Sequence, residues 1–482
     1  MDGVSLDYSD PGTAFSLVGA LYLLMAIVAG VHVVLNKQNE ASAFSWLGII
    51  VLAPLIGAVL YWLFGINRIR RRAQAELPDH TVTATALHFD DSAAVSDQKP
   101  QWQRLMSIGL GVHQSPYLSG NSVSPLINGD SAYPEMIKAI DQAQVSVLLS
   151  SYIFEYDDTG KQFVESLAAA NDRGVEVRVL IDGLGVGYGF SLVRADRVLR
   201  RRGVRTARFL STLSSGGTRF INLRNHRKIL SVDGKVAFLG GMNIRASNVI
   251  NSSKASADLT QDIHFKVQGP VVEQINAVFA ADWQFAAGEQ LQLPQWTEGH
   301  AGSVMSRVLL DGPDDNYKKL QLTMLGAIQQ AQRQISIVSP YFLPDKIVLS
   351  ALHMAALRGV DVNVCIPAKN NLRIVGWAMR ANTRQLLEYG LRLFESHEPF
   401  DHSKLFVVDD YWCMIGSSNW DARSLELNFE INLECYDAAM TKELLTVIQD
   451  KMERATQVKV CVDRFTLIRL RNNFFRLFSP YL

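Results

Sequence analysis

The 482-residue chain has little cysteine and no surplus of charge of either sign. Its four cysteines, Cys365, Cys413, Cys435 and Cys461, include no close pair of the kind that binds zinc or cycles through a disulfide. Four reduced, mostly buried thiols are therefore expected. Lys+Arg and Asp+Glu stand at 47 each, which excludes a nucleic-acid binder working by bulk positive charge, because such binding neutralises many phosphates. A local basic patch stays open. Gly183, Gly185, Gly187 and Gly189 lack the following Gly and helix pattern of a dinucleotide loop, and read as a flexible loop at the rim of a site.

Charge is also missing locally. No Asp, Glu, Lys or Arg occurs from Ala14 to Leu35 or from Ala43 to Ile66, and either run would cross the roughly 30 Å hydrocarbon core as a helix. The residues before the first run hold Asp2, Asp7 and Asp10 and no Lys or Arg, unlike a cleaved signal. A transmembrane hairpin is expected over residues 1–73, with Trp46, Tyr61 and Trp62 near the ends of its second segment. A buried soluble hairpin is the alternative. Arg68, Arg70, Arg71 and Arg72 follow the hairpin while only Lys37 lies in its connection, which places the remainder of the chain in the cytoplasm. Residues 74–100 are polar and read as a linker.

Beyond the linker, apolar strand-like runs alternate with amphipathic helical stretches, an α/β pattern. It repeats. Ala139-Ile140, the run Val145 to Leu149 and Ser151-Tyr152-Ile153-Phe154 are matched by Ala327-Ile328, Ile335 to Val338 and Ser339-Pro340-Tyr341-Phe342. Arg173-Gly174-Val175 and Arg358-Gly359-Val360 then each precede a strand, Val177 to Asp182 and Val362 to Pro367. Two homologous α/β domains packed as a pseudo-dimer are expected, over residues 101–300 and 301–482.

The halves share a polar motif. Asn225-His226-Arg227-Lys228 runs on to Asp233, and Asp401-His402-Ser403-Lys404 to Asp409, both H-x-K-x4-D. Asn243 and Asn419 follow at the same spacing after each His. On a strand, residues two apart share a face, so each His would stand beside its Lys. Lys neutralises the non-bridging oxygens of an anionic phosphodiester while neutral imidazole serves as nucleophile or proton carrier. Two copies supply one His to attack phosphorus and one to protonate the leaving alkoxide, and the scheme needs no metal and no cofactor. One copy alone would more readily be structural; duplication with matching Asn argues for chemistry.

These paired motifs resemble those of the phospholipase D superfamily. Trp46, Pro54-Leu55-Ile56-Gly57, Leu60-Tyr61, Ser339-Pro340-Tyr341-Phe342, Asn428-Phe429-Glu430 and Ser479-Pro480-Tyr481-Leu482 narrow the resemblance to the bacterial cardiolipin synthases. The resemblance implies an inner-membrane phosphatidyltransferase that joins two phosphatidylglycerols into cardiolipin, releasing glycerol through a phosphohistidine intermediate. It implies His226 as nucleophile and His402 as general acid then base, although the symmetry of the motifs leaves the order open. It further implies that Lys228, Lys404, Asn243 and Asn419 hold the phosphoryl oxygens. Glu430 resembles the carboxylate that orients a catalytic His. Its counterpart in the first half is expected at Asp262, beyond an eight-residue insertion, because the equally spaced position is Lys254. Asp233 and Asp409 belong to the motif, with either a catalytic or a site-fixing role.

The arginines at 194, 197, 200, 201, 202, 205 and 208 read either as a solvated helix face or as contacts to an anionic membrane surface. The C-terminal stretch mixes Arg464, Arg469, Arg471 and Arg476 with Phe465, Leu467, Ile468, Leu470, Phe474, Phe475 and Phe478, a basic amphipathic helix that lies in the membrane interface or docks on the protein. His264, His353 and His397 have no counterpart in the other half and are expected to be non-catalytic. A membrane-anchored hydrolase or nuclease using water, a transferase with another acceptor, and a non-catalytic relic are the competing readings. The acceptor and the oligomeric state have no readable code.

Overall fold

The computed structural model describes residues 11–37, 40–62, 98–113, 115–185, 193–210, 223–251, 259–314, 316–459 and 466–479. Most of the expected linker, the arginines at 68 to 72, Gly187, Gly189, Lys254, Cys461, Arg464, Phe465 and the final Pro480-Tyr481-Leu482 lie outside them. The chain divides into two units, residues 1–75 and 76–482.

In the first unit, a helix over Pro11–Asn36 precedes two shorter ones, Glu40–Leu52 and Pro54–Leu60. The second apolar run is therefore divided rather than one continuous helix. Pro54 has no N–H to donate and its ring crowds the preceding turn. Ala53 leaves the helical region at φ −140°, ψ 77°, and the chain reverses so that Gly57 lies against the backbone of Ile49 and Ile50. Only glycine fits there, since a Cβ would meet the Ile49 carbonyl oxygen at 2.5 Å. Ala29, Val33, Ile50, Ala58 and Tyr61 pack together, and Tyr61 hydrogen-bonds His32 Nδ1 at 2.8 Å. Among the described residues no helix is long and apolar enough to cross a membrane.

Among the described residues, the second unit is built on one mixed sheet of 16 strands and a separate two-stranded pair. The first half supplies β1 (Leu118–Ile127), β2 (Ser146–Ser151), β3 (Glu176–Asp182), β4 (Arg205–Phe209), β5 (Arg224–Asn225), β6 (Ile229–Val232), β7 (Val236–Gly240), β8 (Thr260–Gln261) and β9 (Ile263–Gln268). The second supplies β10 (Val304–Asp311), β11 (Gln334–Val338), β12 (Asp361–Pro367), β13 (Arg392–Ser396), β14 (Phe400–Asp401), β15 (Leu405–Val408), β16 (Trp412–Gly416), β17 (Asn428–Tyr436) and β18 (Thr456–Val458). The order β4-β3-β2-β6-β7-β9-β1 is repeated by β13-β12-β11-β15-β16-β17-β10, and the two series join at β1 and β10, Leu118 opposite Ser306. The short strands cross over. β5 pairs with β17 and β14 with β8, so each strand that leads into a His motif is held by the other half.

β2, β3, β6, β12, β15 and β16 are buried almost throughout on both faces, as helices cover the sheet. Helices Val271–Ala287 and Ala438–Glu453 place Val271, Ile275, Val278, Leu444 and Ile448 in one core with strands of both halves, each buried aliphatic contributing about 1.5–3 kcal/mol. Helix Pro100–Val112 precedes the first half yet packs Trp102, Leu105 and Met106 against Leu320 and Met324 of the second. A segment that precedes the first half in sequence is thus packed on the second. Cys365, Cys413 and Cys435 are buried free thiols.

Candidate active site

The His-Lys pairs lie in the extended links after β5 and β14, just before the ladder resumes at β6 and β15, rather than within a strand as the spacing suggested. Each His backbone is fixed across the halves: His226 N–H donates to the Phe429 carbonyl at 2.9 Å and His402 N–H to that of Gln261 at 2.7 Å. The next residues in those chains are Glu430 and Asp262. The Glu430 carboxylate accepts from His226 Nδ1 at 2.9 Å, and that of Asp262 from His402 Nδ1 at 2.8 Å. Each imidazole is thus oriented through Nδ1 by the carboxylate of the opposite half, and the Lys404 ammonium lies 3.2 Å from His402 Nε2.

Lys228 and Lys404 donate to the carbonyls of His226 and His402, both at 2.6 Å, which curls each ammonium beside its imidazole. Burial, with the Lys charges, lowers both histidines to about 4 against the pull of Glu430 and Asp262, so both rings are neutral at pH 7. Burial likewise lowers Lys228 to about 7 and Lys404 to about 8. An anionic phosphodiester placed between these groups would reverse those shifts, because it favours every cationic form.

His226, His402, Asn243 and Asn419 line one cavity of about 800 Å³, with Tyr152, Tyr341, Phe400, Arg224 and Arg423. Asn243 Oδ1 accepts from Ile153 N–H at 3.0 Å, and Asn419 Nδ2 donates to Ser424 Oγ at 3.1 Å. Tyr152 and Tyr341 stand edge-on to His226 and His402, with centroids 5.2 and 6.1 Å apart. Asp233 and Asp409 are elsewhere. Each sits at a hairpin turn with positive φ, and its carboxylate accepts three successive backbone N–H groups, Gln144 to Ser146 and Gln332 to Gln334. Geometry gives these two a strand-anchoring task, not proton transfer.

A family profile described as "Cardiolipin synthase, PLD-like domain" matches residues 136–283 and 324–452, more than half of the chain. The chain belongs to the cardiolipin synthase family of phospholipase D-like proteins. A second profile, "Phospholipase_D-nuclease N-terminal", matches residues 24–65. Cardiolipin synthase A of Pseudomonas putida is 33% identical over 99% of this chain and 100% of its own length. The cardiolipin synthase of Geobacillus kaustophilus is 29% identical over 98% and 95%. The crystal structure of phosphatidylserine synthase from Haemophilus influenzae superposes with a TM-score of 0.60, at 14% identity over 79% of this chain and all of that one, a likeness of fold.

Within this cardiolipin synthase scaffold several supporting residues escaped the sequence reading. Asp182 accepts from Asn225 N–H at 2.9 Å and from Leu184 N–H at 2.9 Å, tying the glycine loop to the first motif. Ser417 Oγ donates to Glu430, and so does Asn428 Nδ2 at 3.2 Å. Buried Arg227 pairs with Asp282 at 2.6 Å behind the first motif, where the second has Asp401 with Lys451 at 2.6 Å. Asn428 and Asp401 stand in the motifs quoted above and Ser417 occupies the position of Gly241, whereas Asp282 and Lys451 carry no such signal. Arg194, Arg200 and Arg208 surround buried Asp196, and Arg205 pairs with Glu289, so four of the basic stretch serve the fold. The C-terminal helix Thr466–Arg476 docks on helix Arg373–Leu386 through Phe475 and Arg471 against Trp377, with Leu467, Leu470 and Phe474 outward. His264, buried and lowered to about 4, His353 beside Tyr389, and His397, bonded to Thr456, are outside the cavity lining.

Proposed function

We propose that the protein synthesises cardiolipin by transferring the phosphatidyl group of one phosphatidylglycerol to another. The observation that carries this reading is the pair of neutral imidazoles, each backed by the other half's carboxylate and flanked by a lysine, opening on one cavity. Neutral His226 attacks phosphorus through Nε2, the bond from phosphorus to the glycerol oxygen breaks, and the departing alkoxide takes the Nε2 proton that His402 gains from solvent when the anionic phosphodiester binds. A headgroup hydroxyl of the second lipid then passes its proton to His402 as its oxygen attacks, and the P–N bond breaks. One phosphodiester replaces another, so the exchange requires no nucleotide. Lys228, Lys404, Asn243 and Asn419 take the phosphoryl oxygens, worth several kcal/mol where charge gathers in a water-poor site.

The same reading seats the enzyme on a bacterial inner membrane. The uncharged runs at the N-terminus, the outward Leu35, Val51 and Leu52, and the apolar outer face of the C-terminal helix support it, with the four arginines after the hairpin setting the catalytic unit in the cytoplasm. Purified protein incubated with headgroup-labelled phosphatidylglycerol tests the reaction. Cardiolipin with one equivalent of free glycerol is expected; phosphatidic acid alone would instead establish a hydrolase.

A further inference from the structure

The cavity that holds His226 and His402 is walled in part by Leu372, Ile374, Val375, Trp377 and Phe475. None of these takes part in the chemistry proposed above. Leu372 caps helix Arg373–Leu386, the next three lie on that helix, and Phe475 comes from the C-terminal helix Thr466–Arg476. From this wall a row of rings leads outward. Trp377 lies 5.0 Å from Phe475 between ring centroids, Phe475 5.4 Å from Phe474, and Phe474 5.3 Å from Phe478. The first two rings line the cavity and the last two are exposed. Leu467, Leu470 and Phe474, three and four residues apart, share one face of the helix, and Leu477 and Phe478 continue the apolar run just beyond its end. Leu372 and Ile374, at 48% and 43% exposure, add to it at the cavity. A continuous apolar surface of this kind marks a contact with something apolar.

Charge identifies that contact. The two helices hold six arginines, Arg373, Arg380, Arg384, Arg469, Arg471 and Arg476, and no Asp or Glu. Arg380 lines a small cavity with Glu395 and Arg471 is stacked on Trp377 at 4.4 Å, whereas Arg373, Arg384 and Arg469 are exposed. An apolar face set among arginines without a carboxylate suits an anionic phospholipid bilayer, to which each nearby cation adds about 1 kcal/mol. We infer that these two helices form a membrane-docking mouth. The outward face enters an anionic bilayer, and a phosphatidylglycerol passes from it along Phe474, Phe475 and Trp377, so that its phosphate reaches the histidines while its chains stay among apolar groups. The inference rests on the lipid substrate proposed above.

The full chain reconstituted in phosphatidylglycerol vesicles tests this in two ways. First, a fluorophore is attached at Leu467→Cys in a chain that also carries Cys461→Ser, Cys365, Cys413 and Cys435 being buried. Quenching by bromine carried on the lipid chains, with protection from iodide in the water, is expected; quenching by iodide alone overturns the docking. This readout needs no turnover, so it holds whatever reaction the enzyme performs. Second, glycerol exchange, the replacement of a labelled headgroup glycerol by glycerol from the medium, is read as label released. It is compared between phosphatidylglycerol in vesicles and dihexanoyl phosphatidylglycerol supplied as monomers to enzyme in detergent. Leu470→Gln combined with Phe474→Gln should lower the ratio of vesicle to monomer exchange about tenfold. Arg384→Gln combined with Arg469→Gln should lower it by about the same factor at low salt and by less at high salt. An unchanged ratio in the first pair overturns the apolar mouth, and in the second its preference for an anionic surface. Wild-type enzyme that releases the label but forms phosphatidic acid in place of cardiolipin overturns the proposed reaction instead, and both tests then still decide the mouth.

Discussion

The two halves of the catalytic unit share a strand order and a motif but differ in what surrounds each histidine. Glu430 behind His226 is long and held by Ser417 and Asn428; Asp262 behind His402 is short, with Gly241 beside it leaving no room for a Cβ, which would meet its oxygens at 2.5 Å. Arg224 precedes one motif and Phe400 the other. Asp282 backs the first and Lys451 the second, a reversal of charge at equivalent helices. The two imidazoles are alike while their supports differ, so each stands in its own surroundings. Because each carboxylate comes from the opposite half, neither half is complete alone.

The largest effect should follow from the histidines, and it tests whether the halves have distinct roles. His226→Ala and His402→Ala are each expected to lower cardiolipin synthesis by about 10³-fold or more. The sharper measurement uses His402→Asn with labelled phosphatidylglycerol and acid-free trapping: a phosphatidyl-enzyme should accumulate there and be absent in His226→Asn. The reverse pattern would exchange the two roles while leaving the geometry intact.

Next in size is the buried polar layer. Arg227 and Asp282 are both fully enclosed, so Asp282→Asn leaves an uncompensated guanidinium and should cost about 3–5 kcal/mol in denaturant unfolding. Lys451→Met should cost less, about 1–2 kcal/mol, because Asp401 keeps the N–H and hydroxyl of Ser403 and the pair is partly wet. Equal losses would remove the claimed inequality between the halves.

What the sequence disclosed and withheld follows the same division. The repeat, the α/β class and the paired motifs were legible because they are local patterns, apolar runs and fixed spacings around His226 and His402. Asp262 was reachable only through its likeness to Glu430, across an insertion that breaks the spacing. The crossing of β5 onto β17 and of β14 onto β8 had no signature, since two-residue strands carry no periodicity and their partners lie some 140 to 200 residues away. The division of the second apolar run at Pro54 was also missed, because proline is tolerated in spanning helices and only the close approach at Gly57 shows a reversal.

The pH profile gives a smaller, graded test. Lys228 lies at about 7 and Lys404 at about 8 in the free enzyme, and each holds phosphate only when protonated. Raising pH through 7 to 8 removes those charges, and His402, at about 4 in the free enzyme, must also take up the proton it gives the alkoxide, so kcat/KM for glycerol exchange should fall on the alkaline side, while His226 at about 4 stays a neutral nucleophile down to about pH 5. An acid limb near 6.5 would mean that the nucleophilic imidazole titrates like an exposed one.

The smallest effect concerns Ser417, where the halves differ by one hydroxymethyl side chain, Ser417 against Gly241. Its Oγ donates to Glu430 and accepts from Ile431 N–H at 3.0 Å, so it fixes the carboxylate that fixes His226. Ser417→Gly reproduces the first half's residue at that position, but Glu430 then has one donor fewer and a longer side chain than Asp262 with which to wander. The imidazole is retained, and the loss falls on its orientation. We expect kcat for glycerol exchange to drop about fivefold, on the order of 1 kcal/mol, with KM nearly unchanged. Combining Ser417→Gly with Glu430→Asp, which gives the second half both residues of the first, should not restore activity, because β17 was shaped around the longer side chain. Recovery in the double variant would show the two supports to be interchangeable, and the asymmetry that separates the halves would then reside in Arg224 against Phe400 and Asp282 against Lys451.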